Sequence, residues 1–260
     1  MRVMSPNTGG TRNAQLLVVL LSAIALKVHY STANANELRW VLAPTAAMVE
    51  LITGTQFEFE SYAGYMSEDR TFLIAASCSG VNFLITAFLM LSLGSLWQVR
   101  PNGIRWRSLV ACGVITYITT IIANTVRVSA ALHLGGISDQ STWLSPGQLH
   151  RLEGISVYFG FLLLLFVAAE RTSWRGAAHQ HNVDLFPRSV FALLVYYATT
   201  LGLPIANGAY KQGAPFWEHA VFVMIIPVLM VMLLVILQIG ARSITGWASA
   251  CRRIIRATTT

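Results

Sequence analysis

Apolar positions along the 260-residue chain run together in blocks, over about 14–29, 71–97, 108–133, 154–169, 188–206 and 217–239, with polar residues collected between them. Several blocks reach the ~20 residues that a helix rising about 1.5 Å per residue needs to cross ~30 Å of hydrocarbon. A seventh, 38–54, is interrupted by Arg39, Pro44 and Glu50. This pattern predicts an all-α fold, a polytopic integral membrane helical bundle of about six to eight transmembrane helices. No stretch reads as a soluble domain and no internal repeat or low-complexity tract appears, so residues 1–260 are expected to form a single membrane domain. Composition agrees: 55% hydrophobic and 11% charged residues, with a mean hydropathy of +0.58, is far more apolar than one soluble core requires. The first block follows Arg2 and Arg12 as a secretory signal would. Lys27, His29 and Tyr30 stand where a small-residue cleavage site would lie, so the block is expected to remain as an anchor.

The net charge of +7 points to topology and excludes nucleic acid as a partner, because the basic residues sit between apolar blocks and not along one polar face. Arg100, Arg105 and Arg107 fill one loop, Arg171, Arg175 and Arg188 another, and Arg242, Arg252, Arg253 and Arg256 the C-terminal tail. The positive-inside rule places all three groups in the cytoplasm. Alternation then puts 55–70, about 134–153 and 207–216 outside. The first of these carries Glu58, Glu60, Glu68 and Asp69 and reads as a solvated loop. An inside N-terminus, favoured by Arg2 and Arg12, requires 38–54 to lie as an interfacial or re-entrant helix anchored by Trp40; a seven-span arrangement would instead put the N-terminus outside.

Three cysteines are too few for a disulfide framework, and no paired Cys or His spacing suits a metal, so neither metal nor organic cofactor is expected. Cys112 and Cys251 fall near the cytoplasmic side. Cys78 falls at the outer face, in Ser77-Cys78-Ser79-Gly80-Val81-Asn82. Read as the N-terminal end of a helix, that position favours an anionic nucleophile, with Asn82 one turn away on the same face. A lone cysteine is more often a small buried hydrophobe. Arg127 lies about twenty residues past the cytoplasmic arginines and is flanked by apolar residues. A guanidinium there is costly unless it snorkels or serves a role, and Asn124, three residues back, makes a polar stripe with it. Its five-donor fork suits a developing oxyanion or a carboxylate. His150, at the entry to the next helix, can take and return a proton near neutral pH, with Glu153 placed to orient it. A surface imidazole is the plain alternative, and His133 is a competing base; His179 and His181 fall on the opposite side.

In order, Ser77-Cys78-Ser79-Gly80, Asn124-Thr125-Val126-Arg127-Val128 and His150 with Gly154 resemble the Cys, Arg and His triad of the exosortase/archaeosortase family of polytopic membrane cysteine enzymes. Leu38-Arg39-Trp40-Val41-Leu42-Ala43-Pro44 and Cys78–Ile85 look most like its exosortase K branch. The resemblance covers about residues 15–170, a catalytic core, leaving 171–260 as additional helices and a basic tail. It implies a cysteine endopeptidase and transpeptidase of the bacterial cytoplasmic (inner) membrane, with its active site on the extracytoplasmic side. Its partners would be the lipid bilayer and exported proteins bearing PEP-CTERM-like C-terminal sorting signals, each a motif, a transmembrane helix and a basic tail. The implied roles are nucleophile for Cys78, base and acid for His150 and oxyanion stabiliser for Arg127, with Ser79, Asn82, Asn124 and Glu153 in support.

Two other readings stand beside it. The segment around Cys78 is similar in part to the Gly-x-Ser-Gly of rhomboid-type serine proteases, which would make Ser79 the nucleophile and His219 the base. A small transporter or assembly factor without peptidase activity would use Arg127 to contact an anion. No inverted repeat or matched pair of broken helices supports that reading.

Overall fold

The computed structural model describes residues 8–98, 104–135, 145–173, 185–206 and 208–258. The apolar blocks form helices α1 (Thr8–Thr32), α2 (Arg39–Thr53), α3 (Val81–Gln98), α4 (Trp106–Gly135), α5 (Pro146–Ser173), α6 (Leu185–Tyr197), α7 (Leu203–Ala206) and α8 (Ala214–Thr258). Five are long and apolar enough to cross a membrane, over Gly10–Thr32, Ala76–Trp97, Trp106–His133, Gly147–Ala169 and Phe216–Leu237. A shorter apolar stretch, Val190–Ala206, is interrupted by a π-helical turn at Ala198–Gly202. The protein is a multi-pass helical membrane bundle.

Helix α4 shows how sequence sets the packing. Val110, Val114, Ile118, Ile122 and Val126, four residues apart, form one exposed apolar stripe, the face a membrane helix turns to lipid. Thr116, Thr120, Ala123, Asn124 and Val128 are buried on the opposite side. One core joins Phe83, Met90, Phe159, Leu162, Tyr196 and Val223 from α3, α5, α6 and α8. A second joins Leu38, Val41, Leu42 and Val49 to Ile74, Val81 and Val128, seating α2 between the sheet described below and α4.

Helix α1 is antiparallel to α3. Gln15 bonds through both amide atoms to the backbone of Ile104, beside Arg105 and Arg107, while Lys27 Nζ donates to Asn82 Oδ1 at 2.8 Å at the far end. The start of α1 therefore shares the arginine-rich end of the bundle, which the seven-span arrangement forbids. Helix α2, 15 residues long, measures about 22 Å and falls short of a hydrocarbon core of ~30 Å. Trp40 was expected to anchor an interface; its ring stacks on Tyr117 at 5.8 Å, and its carbonyl accepts the Tyr117 hydroxyl at 2.8 Å.

The segment read as a solvated acidic loop is instead an antiparallel meander of β1 (Phe57–Glu60), β2 (Gly64–Ser67) and β3 (Leu73–Ala75). Phe57, Glu58, Phe59 and Glu60 alternate with the period of a half-buried strand: Phe57 enters the second core, and Arg39 lies 4.6 Å over the Phe59 ring. Between β2 and β3, Asp69 Oδ1 accepts the Ser67 hydroxyl at 2.6 Å and the Thr71 amide at 3.1 Å, which holds its carboxyl below the usual carboxylate range. The meander delivers the chain to a 3₁₀ turn, Ala76–Cys78, directly before α3. Arg100, Arg175, His179 and His181 lie outside the described residues, as does most of the loop between α4 and α5.

Candidate active site

Cys78 stands on the 3₁₀ turn and not inside α3. Gly80 is the reason: its φ of +73° redirects the chain before the helix begins, a conformation costly for residues with a Cβ. The site is also tight, since a Cβ on Gly80 would come within 3.3 Å of Thr120 Cγ2, 3.3 Å of the Tyr158 hydroxyl and 3.4 Å of Asn124 Cγ. The one-turn relation expected between Cys78 and Asn82 therefore does not form, and Asn82 turns to Lys27. Cys78 is held by its backbone: Asn124 Nδ2 donates to the Cys78 carbonyl at 2.6 Å.

From that bond a continuous polar chain crosses to α5. The Tyr158 hydroxyl donates to Asn124 Oδ1 at 2.8 Å and accepts from Arg127 Nη1 at 3.1 Å. Arg127 Nη2 reaches His150 Nε2 at 3.0 Å, and His150 Nδ1 faces Glu153 Oε2 at 3.6 Å. A guanidinium can only donate, so Nε2 is the accepting nitrogen and Nδ1 carries the ring proton toward Glu153. The imidazole is 47% exposed and the Glu153 side chain only 7%, so the histidine meets solvent while its carboxylate partner is sealed behind it. Arg127 lies flat against α5, where a Cβ on Gly154 would come within 3.0 Å of its Nε, and its Cζ sits 5.2 Å from the Tyr158 ring centre. Cys78 and Tyr30 of α1 both pack against the second core.

A comparison with protein families matches residues 9–168, well over half of the chain, to the transmembrane exosortase family. The chain belongs to that family. Exosortases are membrane enzymes that process sorting signals, a family of proteases and transpeptidases. No curated protein and no solved structure matches the chain. The exosortase match contains the whole polar chain from Cys78 to Tyr158 and ends within α5, before α6 and α8.

Residues from beyond the matched segment nevertheless share a cavity with Arg127, His150 and Tyr158. A cavity of about 250 Å³ is lined by Ser77, Arg127, His150 and Tyr158 from the matched segment and by Tyr196, Thr200, His219 and Val223 from beyond it. A neighbouring cavity of about 310 Å³ shares Asn82, Thr86, Thr200 and His219 with the first and adds Lys27. Glu218 ties α8 to the entry of α5, accepting from Gln148 at 3.2 Å and pairing with Arg151 at 3.2 Å.

Other candidates fall elsewhere. Ser79 is completely buried, a poor setting for the nucleophile of a rhomboid-type site. Cys112 is enclosed in the first core, and His133 is exposed in the last turn of α4. Sequence reasoning missed Tyr158, whose hydroxyl joins Asn124 to Arg127. The spacing of His150, Gly154 and Tyr158, four residues apart on one face of α5, was the available signal.

Proposed function

We propose that the chain is a cysteine endopeptidase and transpeptidase of the exosortase K type, which removes C-terminal sorting signals from exported proteins through a Cys78 acyl-enzyme. One observation carries this reading: the hydrogen-bonded chain that joins the Cys78 backbone, through Asn124 and Tyr158, to Arg127 and His150. The arrangement also favours an outward-facing site in a bacterial inner membrane. Arg107 and Arg127 are twenty residues apart on one helix, about 30 Å, the thickness of the hydrocarbon core, and Arg107 belongs to the basic end that the positive-inside rule assigns to the cytoplasm.

The chemistry is acyl transfer. His150 Nε2 takes the Cys78 thiol proton as Sγ bonds to the scissile carbonyl carbon, and the carbonyl oxygen becomes an oxyanion facing Arg127. Collapse breaks the C–N bond, and His150 returns the proton to the leaving amine, which departs with the transmembrane tail. Water or an acceptor amine then attacks the thioester, gives its proton to His150, and the proton returns to Sγ as the thiol leaves. In the resting geometry the Nε2 lone pair is occupied by Arg127. Transfer of Nη2 from the imidazole to the substrate oxygen frees the base as the oxyanion forms, coupling substrate binding to activation of the nucleophile.

The test is co-expression with an exported protein ending in a motif, a transmembrane helix and a basic tail. The wild-type chain is expected to release the tail and to yield a hydroxylamine-sensitive acyl adduct on Cys78, and Cys78→Ala to leave the substrate intact. Full processing by Cys78→Ala, with the protein folded in the membrane, overturns the covalent route.

A further inference from the structure

We propose that Tyr158 is a positioning residue of this reaction, one hydroxyl that fixes both the amide holding the nucleophile's backbone and the guanidinium meant for the oxyanion. The inference rests on the Cys78 reading and adds a residue that the sequence patterns above do not include. A phenol has one proton to give. Asn124 Nδ2 is committed to the Cys78 carbonyl, so Oδ1 is the atom facing Tyr158 and the hydroxyl must donate to it. Arg127 can only donate, so the same oxygen accepts from Nη1.

Every bond then runs one way: Arg127 donates to Tyr158 and to His150, Tyr158 to Asn124, and Asn124 to Cys78. Reversing the Asn124 amide would set its NH₂ against the phenol and its oxygen against the Cys78 carbonyl, so the network has one satisfied arrangement. The ring itself is held by packing and not by its hydroxyl. It stacks on Phe83 at 5.2 Å between ring centres, with Arg127 above it and the Cβ-less surface of Gly80 against its oxygen. Tyr158→Phe should therefore keep the ring in place while releasing Asn124 Oδ1 and Arg127 Nη1 together. Through those two groups Tyr158 governs where the thiol sits and where the oxyanion donor rests.

The decisive experiment uses the full-length protein in membranes and the same tail-bearing substrate, with Tyr158→Phe, Asn124→Ala and their combination. Tyr158→Phe is expected to lower kcat by about tenfold or more, since both hydrogen bonds of the hydroxyl are lost, with KM within about twofold. Combined with Asn124→Ala it should add less than its own separate effect, because part of its action passes through that amide. The thermal unfolding temperature in detergent should fall only modestly, because the ring keeps its packing while two buried polar groups lose a partner. Wild-type kcat in Tyr158→Phe, or fully multiplicative effects with a parallel loss of thermal stability, overturns the proposal. The alkylation rate of Cys78 by iodoacetamide, in a Cys112→Ser and Cys251→Ser background, reads the same positioning without substrate. A rate unchanged by Tyr158→Phe argues against it even if processing proves independent of Cys78. Cleavage that survives Cys78→Ala sinks the parent reading; a dead Cys78→Ala beside a fully active Tyr158→Phe sinks the role of Tyr158 alone.

Discussion

Two stretches of helix α4 carry buried polar side chains and use them differently. In the middle of the helix, Thr116 and Thr120 return their hydroxyls to their own backbone, to Cys112 and Thr116 at 2.9 and 2.7 Å. Near its end, Asn124 and Arg127 spend no such bonds on α4 and reach the Cys78 turn and α5. Both stretches are rich in polar atoms, so polarity inside the bilayer does not distinguish them. A threonine that bonds its own helix is self-sufficient and can face apolar neighbours at little cost. An amide or guanidinium cannot satisfy itself in this way, so it persists only where other elements supply partners. Bonds between elements, not polar composition, mark the part of the bundle that holds the candidate site.

The largest effect expected from breaking this contrast is at Arg127. Arg127→Lys keeps the charge but loses the fork that joins Tyr158 to His150. Loss of an oxyanion donor costs on the order of 10²–10³ in kcat, and the lysine's single ammonium cannot hold both partners. Processing of the tail-bearing substrate should fall by about that range while the protein still inserts and folds, as judged by membrane yield and thermal unfolding. Activity within about threefold of wild type would mean that charge alone suffices and that the two-armed geometry is incidental.

A smaller effect is expected where the contact is steric. Gly154→Ala places a Cβ 3.0 Å from Arg127 Nε, a distance that requires the guanidinium to shift by a few tenths of an ångström. Misplacing a positioned catalytic group by as much as 1 Å costs about 10²-fold, so a lesser displacement should lower kcat by about tenfold or less. Alanine is also the better helix former by about 1 kcal/mol, so thermal stability should hold or rise as activity falls. A parallel loss of both would show that Gly154 serves packing of α4 on α5 and not the placement of Arg127.

The membrane bundle was legible in the sequence because continuous apolar blocks have few other uses. Cys78, Arg127 and His150 stood out because each is an unusual residue for its setting. What lay between them did not. Tyr158 looks like any aromatic in an apolar helix, and its two hydrogen bonds form only when α5 packs on α4. The turn at Cys78 was hidden for a related reason: Ala76–Gln98 is apolar enough to read as one helix, and the positive φ of Gly80, a backbone property, separates the cysteine from it. The meander had its signal in Phe57-Glu58-Phe59-Glu60, but four acids within 55–70 drew attention to charge and away from alternation. The part played by α6 and α8 was not legible, because Tyr196, Thr200 and His219 meet the site only through the packing of distant segments.

The smallest effect should come from a threonine that satisfies itself between Asn124 and Arg127, and it is the control that gives the contrast its meaning. Thr125 is as buried as Asn124, at 1% against 0% exposure, and is its immediate neighbour in sequence. Its hydroxyl returns to Ile121, a carbonyl whose position on the helix is fixed by the backbone whether or not the side chain is present. Thr125→Val removes that bond together with its donor, leaving no unsatisfied buried hydrogen behind. The stability cost should be about 1 kcal/mol or less, and kcat should stay within about twofold of wild type by the same processing assay. If Thr125→Val instead disables the enzyme while the fold survives, polar groups along the whole inner face of α4 act together. Bonding between elements would then no longer separate functional from structural polar groups on this helix.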